Sequence, residues 1–140
     1  MEHTVFVFDI SKGLKEHPGN KYEATRQYWT VKKWIDYPDM LAVGLVKQKP
    51  LSIYEIESWE GTDDETDIHG KSATGKFKFN GSEIKDSFLL DIDWKEIIEL
   101  AKGFWQHGNF LVVSFPDENH FQILRGSKDK KIHSLNGGSK

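Results

Sequence analysis

Residues Thr25 to Trp34, TRQYWTVKKW, place an arginine, a tyrosine and two tryptophans in one short stretch. Aromatic faces of this kind stack on nucleobases, and a nearby guanidinium binds phosphate or stacks in turn. A strand over Gln27–Val31 sends Tyr28 and Trp29 to opposite sides, so both cannot line the same side of a pocket and one is expected in the core. Trp59 closes the run LSIYEIESW beside a long acidic loop, a position suited to a pocket rim. A second concentration is GFWQHGN, where Trp105, Gln106, His107 and Asn109 combine a flat ring with amides. Such amides present the paired donor and acceptor that base edges require. The plainer account is a helix-to-strand connection whose polar groups satisfy loose backbone. The candidate nucleotide-binding residues are therefore Arg26, Tyr28, Trp29, Trp59, Trp105, Gln106 and Asn109. Trp34 is divided between core and pocket.

Other motifs carry less. GKSATGK, Gly70 to Lys76, has phosphate-loop spacing, but Phe77 replaces the Ser or Thr that holds magnesium. Strand alternation follows it where a helix is needed to supply amides and dipole. Nucleotide hydrolysis is not expected, although a lid bringing Lys71 or Lys76 to a ligand phosphate stays open. The acidic run Asp63–Asp67 with His69 lacks both the calcium-loop pattern and a second histidine at ligand spacing, so it reads as a solvated loop. No nucleophile elbow or paired H-x-T is present. Asp9, Glu55 and Glu57 are carboxylates that nothing in the sequence selects as bases. No catalytic residue, metal site or cofactor is expected.

The elements that must position these residues follow from periodicity. HTVFVFDI, residues 3–10, alternates with both faces apolar, which predicts a central strand. SKGLKEHPGNK, residues 11–21, reads as a loop because of Gly13 and the Pro18–Gly19 pair. A short strand over Gln27–Val31 precedes a helical turn over Lys32–Asp36, stopped before Pro38. MLAVGLV and LSIYEIESW form a hairpin across KQKP, with Pro50 at a strand start or an edge. A polar loop over 60–75 leads to the strand KFKFN, ended by Gly81. DWKEIIELAKG is the clearest helix. Trp94, Ile97, Ile98 and Ala101 make its apolar stripe, so Trp94 belongs to the core. Asp93 with Glu96 suits its start and Gly103 its end. NFLVVSF and HFQILR then pair across PDEN. Six strands with one clear and one doubtful helix predict an α+β domain with a small mixed or closed sheet.

The chain of 140 residues is 37% hydrophobic and 13% aromatic, enough for one core. The N-terminus lacks the basic region of a signal peptide, and no apolar run is long enough to span a bilayer. Without cysteine, disulfides and thiolate sites are excluded. A cytoplasmic protein is the default expectation. The net charge of −3 divides unevenly: residues 127–140 carry four lysines and one aspartate, which leaves −6 on residues 1–126. An acidic domain is poorly suited to a long phosphate backbone but can hold one small ligand. Residues 1–126 read as a single domain and 127–140 as a disordered basic tail.

The phrases TRQYW, AVGLV, IYEIESW, GKFKFNG and GFWQHGNFLVVSF…FQILRG together resemble a group of small bacterial and phage proteins. They are loosely similar to the PUA-like superfamily, which includes the EVE, ASCH and YTH domains. Tyr28-Trp29 and Val43-Gly44 follow the order of the early YW strand and the small apolar turn of EVE-like members. Thr30, Val31 and Lys32 stand where those members carry S-E-P. The resemblance implies a compact barrel that binds nucleotides or modified bases in an aromatic pocket. It suggests a phage accessory protein that sequesters a signalling nucleotide or senses modified DNA. The expected partner is a nucleotide or flipped base. The alternatives are an acidic inhibitor or adaptor acting on a host protein, and a small hydrolase or nuclease.

Overall fold

A computed structural model describes residues 2–37, 39–105, 110–128 and 130–135. Its frame is a seven-stranded sheet of β1 (His3–Asp9), β2 (Met40–Val46), β3 (Lys49–Gly61), β4 (Phe77–Ile84), β5 (Leu111–Asp117), β6 (His120–Arg125) and β7 (His133–Ser134). The order across it is β4-β3-β2-β1-β5-β6-β7. Only β1 and β2 run parallel, and the other neighbours are antiparallel. The sheet is mixed and open, with β4 and β7 at its edges, so the closed barrel is not formed.

The alternation in β1 decides what lies on each face. Val5 and Val7 point into one core with Leu41, Val43, Ile53, Leu111 and Val113. Phe6 and Phe8 point into the other with Ala42, Tyr54, Ile56, Phe79 and Val112. Both sets are buried, as the doubly apolar strand predicted, and β1 stands fourth of seven. Helix α3 (Trp94–Leu100) covers the valine face through Trp94, Ile97 and Ile98, with Asp93 accepting from the Lys95 amide at its start. The phenylalanine face is covered from the β1–β2 connection.

That connection is where the sequence reading fails most. Residues 11–21 are not a loop: they hold α1 (Ser11–Glu16) and lead into α2 (Lys21–Arg26). Gly13, read as a breaker, is where the two helices touch. A Cβ there would lie 2.6 Å from the Ala24 carbonyl oxygen, so only glycine lets the backbones approach. Asn20 caps α2 by accepting from the Glu23 amide at 3.1 Å. The strand expected over Gln27–Val31 reduces to a single bridge, in which Trp29 and Phe77 exchange two backbone hydrogen bonds of 2.9 Å on the outer edge of β4. The helical turn survives as a 3-10 turn over Lys32–Trp34.

Smaller corrections have local causes. The hairpin turns on Lys47 and Gln48, both at positive φ, so β3 starts at Lys49 and Pro50 meets the sheet at an irregular register. β4 passes through Gly81 to Ile84. Gly81 pairs with Ile56 beside a register shift, and a Cβ there would lie 2.1 Å from the Glu55 carbonyl oxygen, so this glycine admits a close approach of β3 and does not end the strand. Gly103 lies within a further short helix, α4 (Lys102–Trp105), instead of closing α3. A second 3-10 turn spans Phe88–Leu90. Within the stretch read as a disordered tail, β7 pairs with β6 and Leu135 is buried. Among the described residues no helix is long and apolar enough to cross a membrane.

Candidate functional site

The β1–β2 connection and the long β3–β4 connection meet over a cleft of about 550 Å³. Its floor is the end of β1 at Asp9 and the start of α1. One wall is α1, with Lys12, Lys15 and Glu16, and the other is Tyr28 and Trp29. Asp67 and Lys76 reach it from the β3–β4 connection. This volume lies within the range of small-ligand sites.

Trp29 is fixed on three sides. Its backbone bridges to Phe77, its Nε1 donates to the Thr25 carbonyl at 2.8 Å, and its ring stacks on Phe8 at 4.0 Å and 22°. The indole is therefore a rigid wall whose polar atom is already used. Tyr28 lies beside it, with its hydroxyl donating to Glu65 at 3.0 Å. Burial pushes the Tyr28 phenol up to about 12, and the hydrogen bond to Glu65 adds to the shift. Lys78 lies 2.9 Å from the Glu65 carboxylate and holds its pKa below the usual range.

The carboxylates of the cleft are engaged within the protein. Asp9 accepts from the Ser11 amide, and Glu16 contacts His69 at 3.0 Å. Asp67 accepts from the amides of Lys71 and His69, which lower its pKa. By contrast, the ammonium groups of Lys12, Lys15 and Lys76 have no hydrogen-bond or ion-pair partner among the described residues. The cleft thus offers two fixed rings and three unused cationic donors. That combination suits a planar ligand carrying an anionic group.

The structure brings only part of the predicted set together. Tyr28 and Trp29 share the cleft, because the single bridge at Trp29 replaces the strand that would have turned them apart. Arg26 is spent elsewhere: Nε donates to the Phe79 carbonyl, Nη1 to Glu23 and Nη2 to Asn80, and the guanidinium lies over Tyr22. It fastens α2 to the edge of the sheet. Trp59 packs edge-on against Phe6 and Phe79 in the same aromatic core, with Nε1 buried and without a hydrogen-bond partner. Trp105 packs against the core on the opposite face of the sheet, so Trp29, Trp59 and Trp105 do not converge. Gln106 and Asn109 lie outside the described residues, as does His107. Trp34 stacks on Tyr37 away from the cleft.

Sequence reasoning missed Lys12, Lys15 and Glu16 as site residues and named Asp9 only as one of three unselected carboxylates. They become neighbours of Tyr28 only through the contact of α1 with α2, and no local motif encodes that contact. Lys76 is the residue that the phosphate-loop spacing singles out. It does line the cleft, yet Phe77 begins a strand and not a helix. The acidic run 63–67 secures its own loop: Asp63 accepts from the Gly75 amide, while Glu65 and Asp67 hold the contacts given above. Among the described residues no cluster of histidine and carboxylate suits a metal ion. No protein family, curated protein or solved structure matches the chain.

Proposed function

We propose that the chain is a non-enzymatic binding domain for a nucleotide or an extruded, modified base, held in the cleft between α1 and Tyr28-Trp29. One observation carries this reading: two adjacent aromatic residues line the same cleft as three lysines with no partner of their own. Stacking on an aromatic side chain is worth about 1–3 kcal/mol per base. A hydrogen bond to a charged group adds about 1.5–3 kcal/mol. One ring contact and two such bonds approach the roughly 8 kcal/mol of micromolar affinity. The relation to PUA-like domains enters the proposal through Tyr28-Trp29 alone, since Arg26, Trp59 and Trp105 do other work.

The test is calorimetric titration with a panel of mono-, di- and cyclic nucleotides. At least one is expected to bind in the micromolar range, and Tyr28→Ala is expected to weaken it by about 5- to 150-fold, the equivalent of one stacking contact. Tyr28→Phe keeps the ring and should cost far less. A panel in which nothing binds the wild-type chain removes the proposal.

A further inference from the structure

Resting on that reading, we infer that the ligand is a free nucleotide, its phosphate held by Lys12, Lys15 and Lys76 under residues 62–76, which act as a lid. The lid is closed on itself by hydrogen bonds. Thr62 is buried and its hydroxyl donates to the carbonyls of Ala73 and Lys76. The Ala73 amide returns a bond to Glu65, Thr66 bridges to Ser72, and Asp67 binds the amides of His69 and Lys71. Among the described residues two side-chain hydrogen bonds tie this unit to the β1–β2 connection. Glu65 accepts from Tyr28 at 3.0 Å, and His69 contacts Glu16 at 3.0 Å. The lid is thus tied to two lining residues of the cleft, Tyr28 and Glu16, and contributes Asp67 and Lys76 to its lining.

The charge arrangement selects against a strand. The three lysines line one cleft, Lys12 and Lys15 from α1 and Lys76 from the β3–β4 connection, whereas Asp9, Glu16 and Asp67 line the same cleft and Asp63 and Asp64 stand on the lid. A single terminal phosphate meets the lysines. The further phosphates of a strand would have to leave past carboxylates and beneath a pinned lid, without the basic stripe that strand binding requires. In the Glu16–His69 pair the histidine is exposed and the glutamate half-buried, with side-chain accessibilities of 56% and 23%. It is a latch that can open without disturbing the core.

The experiment compares adenosine and guanosine, their 5′-monophosphates, and a short single strand of DNA on the wild-type chain, Lys12→Gln/Lys15→Gln and Glu16→Gln. Hydrogen exchange is followed at the amides of 67–72. A monophosphate is expected to bind at least tenfold more tightly than its nucleoside and than the strand, and the double lysine variant should erase the first difference. Glu16→Gln should speed both exchange at 67–72 and release of the monophosphate. Equal binding of nucleoside and monophosphate overturns the phosphate grip while leaving the aromatic cleft intact. Tight binding of the strand, or unchanged exchange and release in Glu16→Gln, overturns the lid. Silence towards every nucleoside and nucleotide defeats the underlying reading instead, and the exchange result still reports on the latch.

Discussion

Tyr28 shows how one side chain can belong to wall and lid together. Its ring lines the cleft while its hydroxyl is bonded to Glu65, and its pKa stands near 12 against an ordinary value of 10.0. The consequence for stability has a definite sign. As pH rises above 10 the unfolded chain releases this proton while the folded chain keeps it, so stability falls between pH 10 and about 12. Tyr28→Phe removes the group from that balance. Denaturant melts at several pH values should show a shallower alkaline loss in the variant, and parallel curves would refute the assignment. The tyrosine and tryptophan were visible in the sequence as chemistry. Their shared orientation was not, because alternation along an assumed strand turns neighbours apart, and a one-residue bridge obeys no such rule. Arg26 was misread for a related reason: a guanidinium looks alike in sequence whether it faces a ligand or three acceptors of its own fold.

At the scale of elements, legibility followed the length of the periodic pattern. The stripe of α3 and the alternation of β1 repeat often enough to be read unaided. The short α1 and α2 do not, and they are helical because packing against each other and against the aromatic face overrides weak local preference. Gly13 and Gly103 make that argument testable. Both are helical glycines, but an added methyl at Gly13 meets Ala24 backbone, whereas at Gly103 it meets nothing within 4 Å. Gly13→Ala should destabilise the fold by about 1–3 kcal/mol through overpacking. Gly103→Ala should stabilise by up to about 1 kcal/mol through helix propensity. Urea unfolding of the two variants checks both, and a stable Gly13→Ala would show that the α1–α2 contact is looser than described.

For the whole molecule, the central fact is one sheet with a core on either face. The sequence indicated enough apolar residues for a core but could not divide them, since assignment to a face depends on register across strands far apart in the chain. Of the indoles expected around a single hollow, Trp29 and Trp59 lie on the phenylalanine side and Trp105 on the valine side, where Trp94 is core as its helical stripe predicts. Because the same strands serve both cores, damage on one side should be felt on the other. Trp94→Ala is expected to cost about 3–5 kcal/mol. The loss should appear as a single transition. Far-ultraviolet dichroism and the fluorescence of the remaining tryptophans should move together, and two separate transitions would mean that the faces unfold independently.

β1 is flanked by β2 on one side and β5 on the other, and within the sheet it alone joins β2–β3–β4 to β5–β6–β7. Each of those trios is an antiparallel meander built from near neighbours in the chain, while the strand between them comes from the opening residues. The molecule is in this sense two ribbons clasped by a seven-residue fastener. Without that strand the two ribbons would share no neighbour in the sheet, and each core would lose its central pair of side chains.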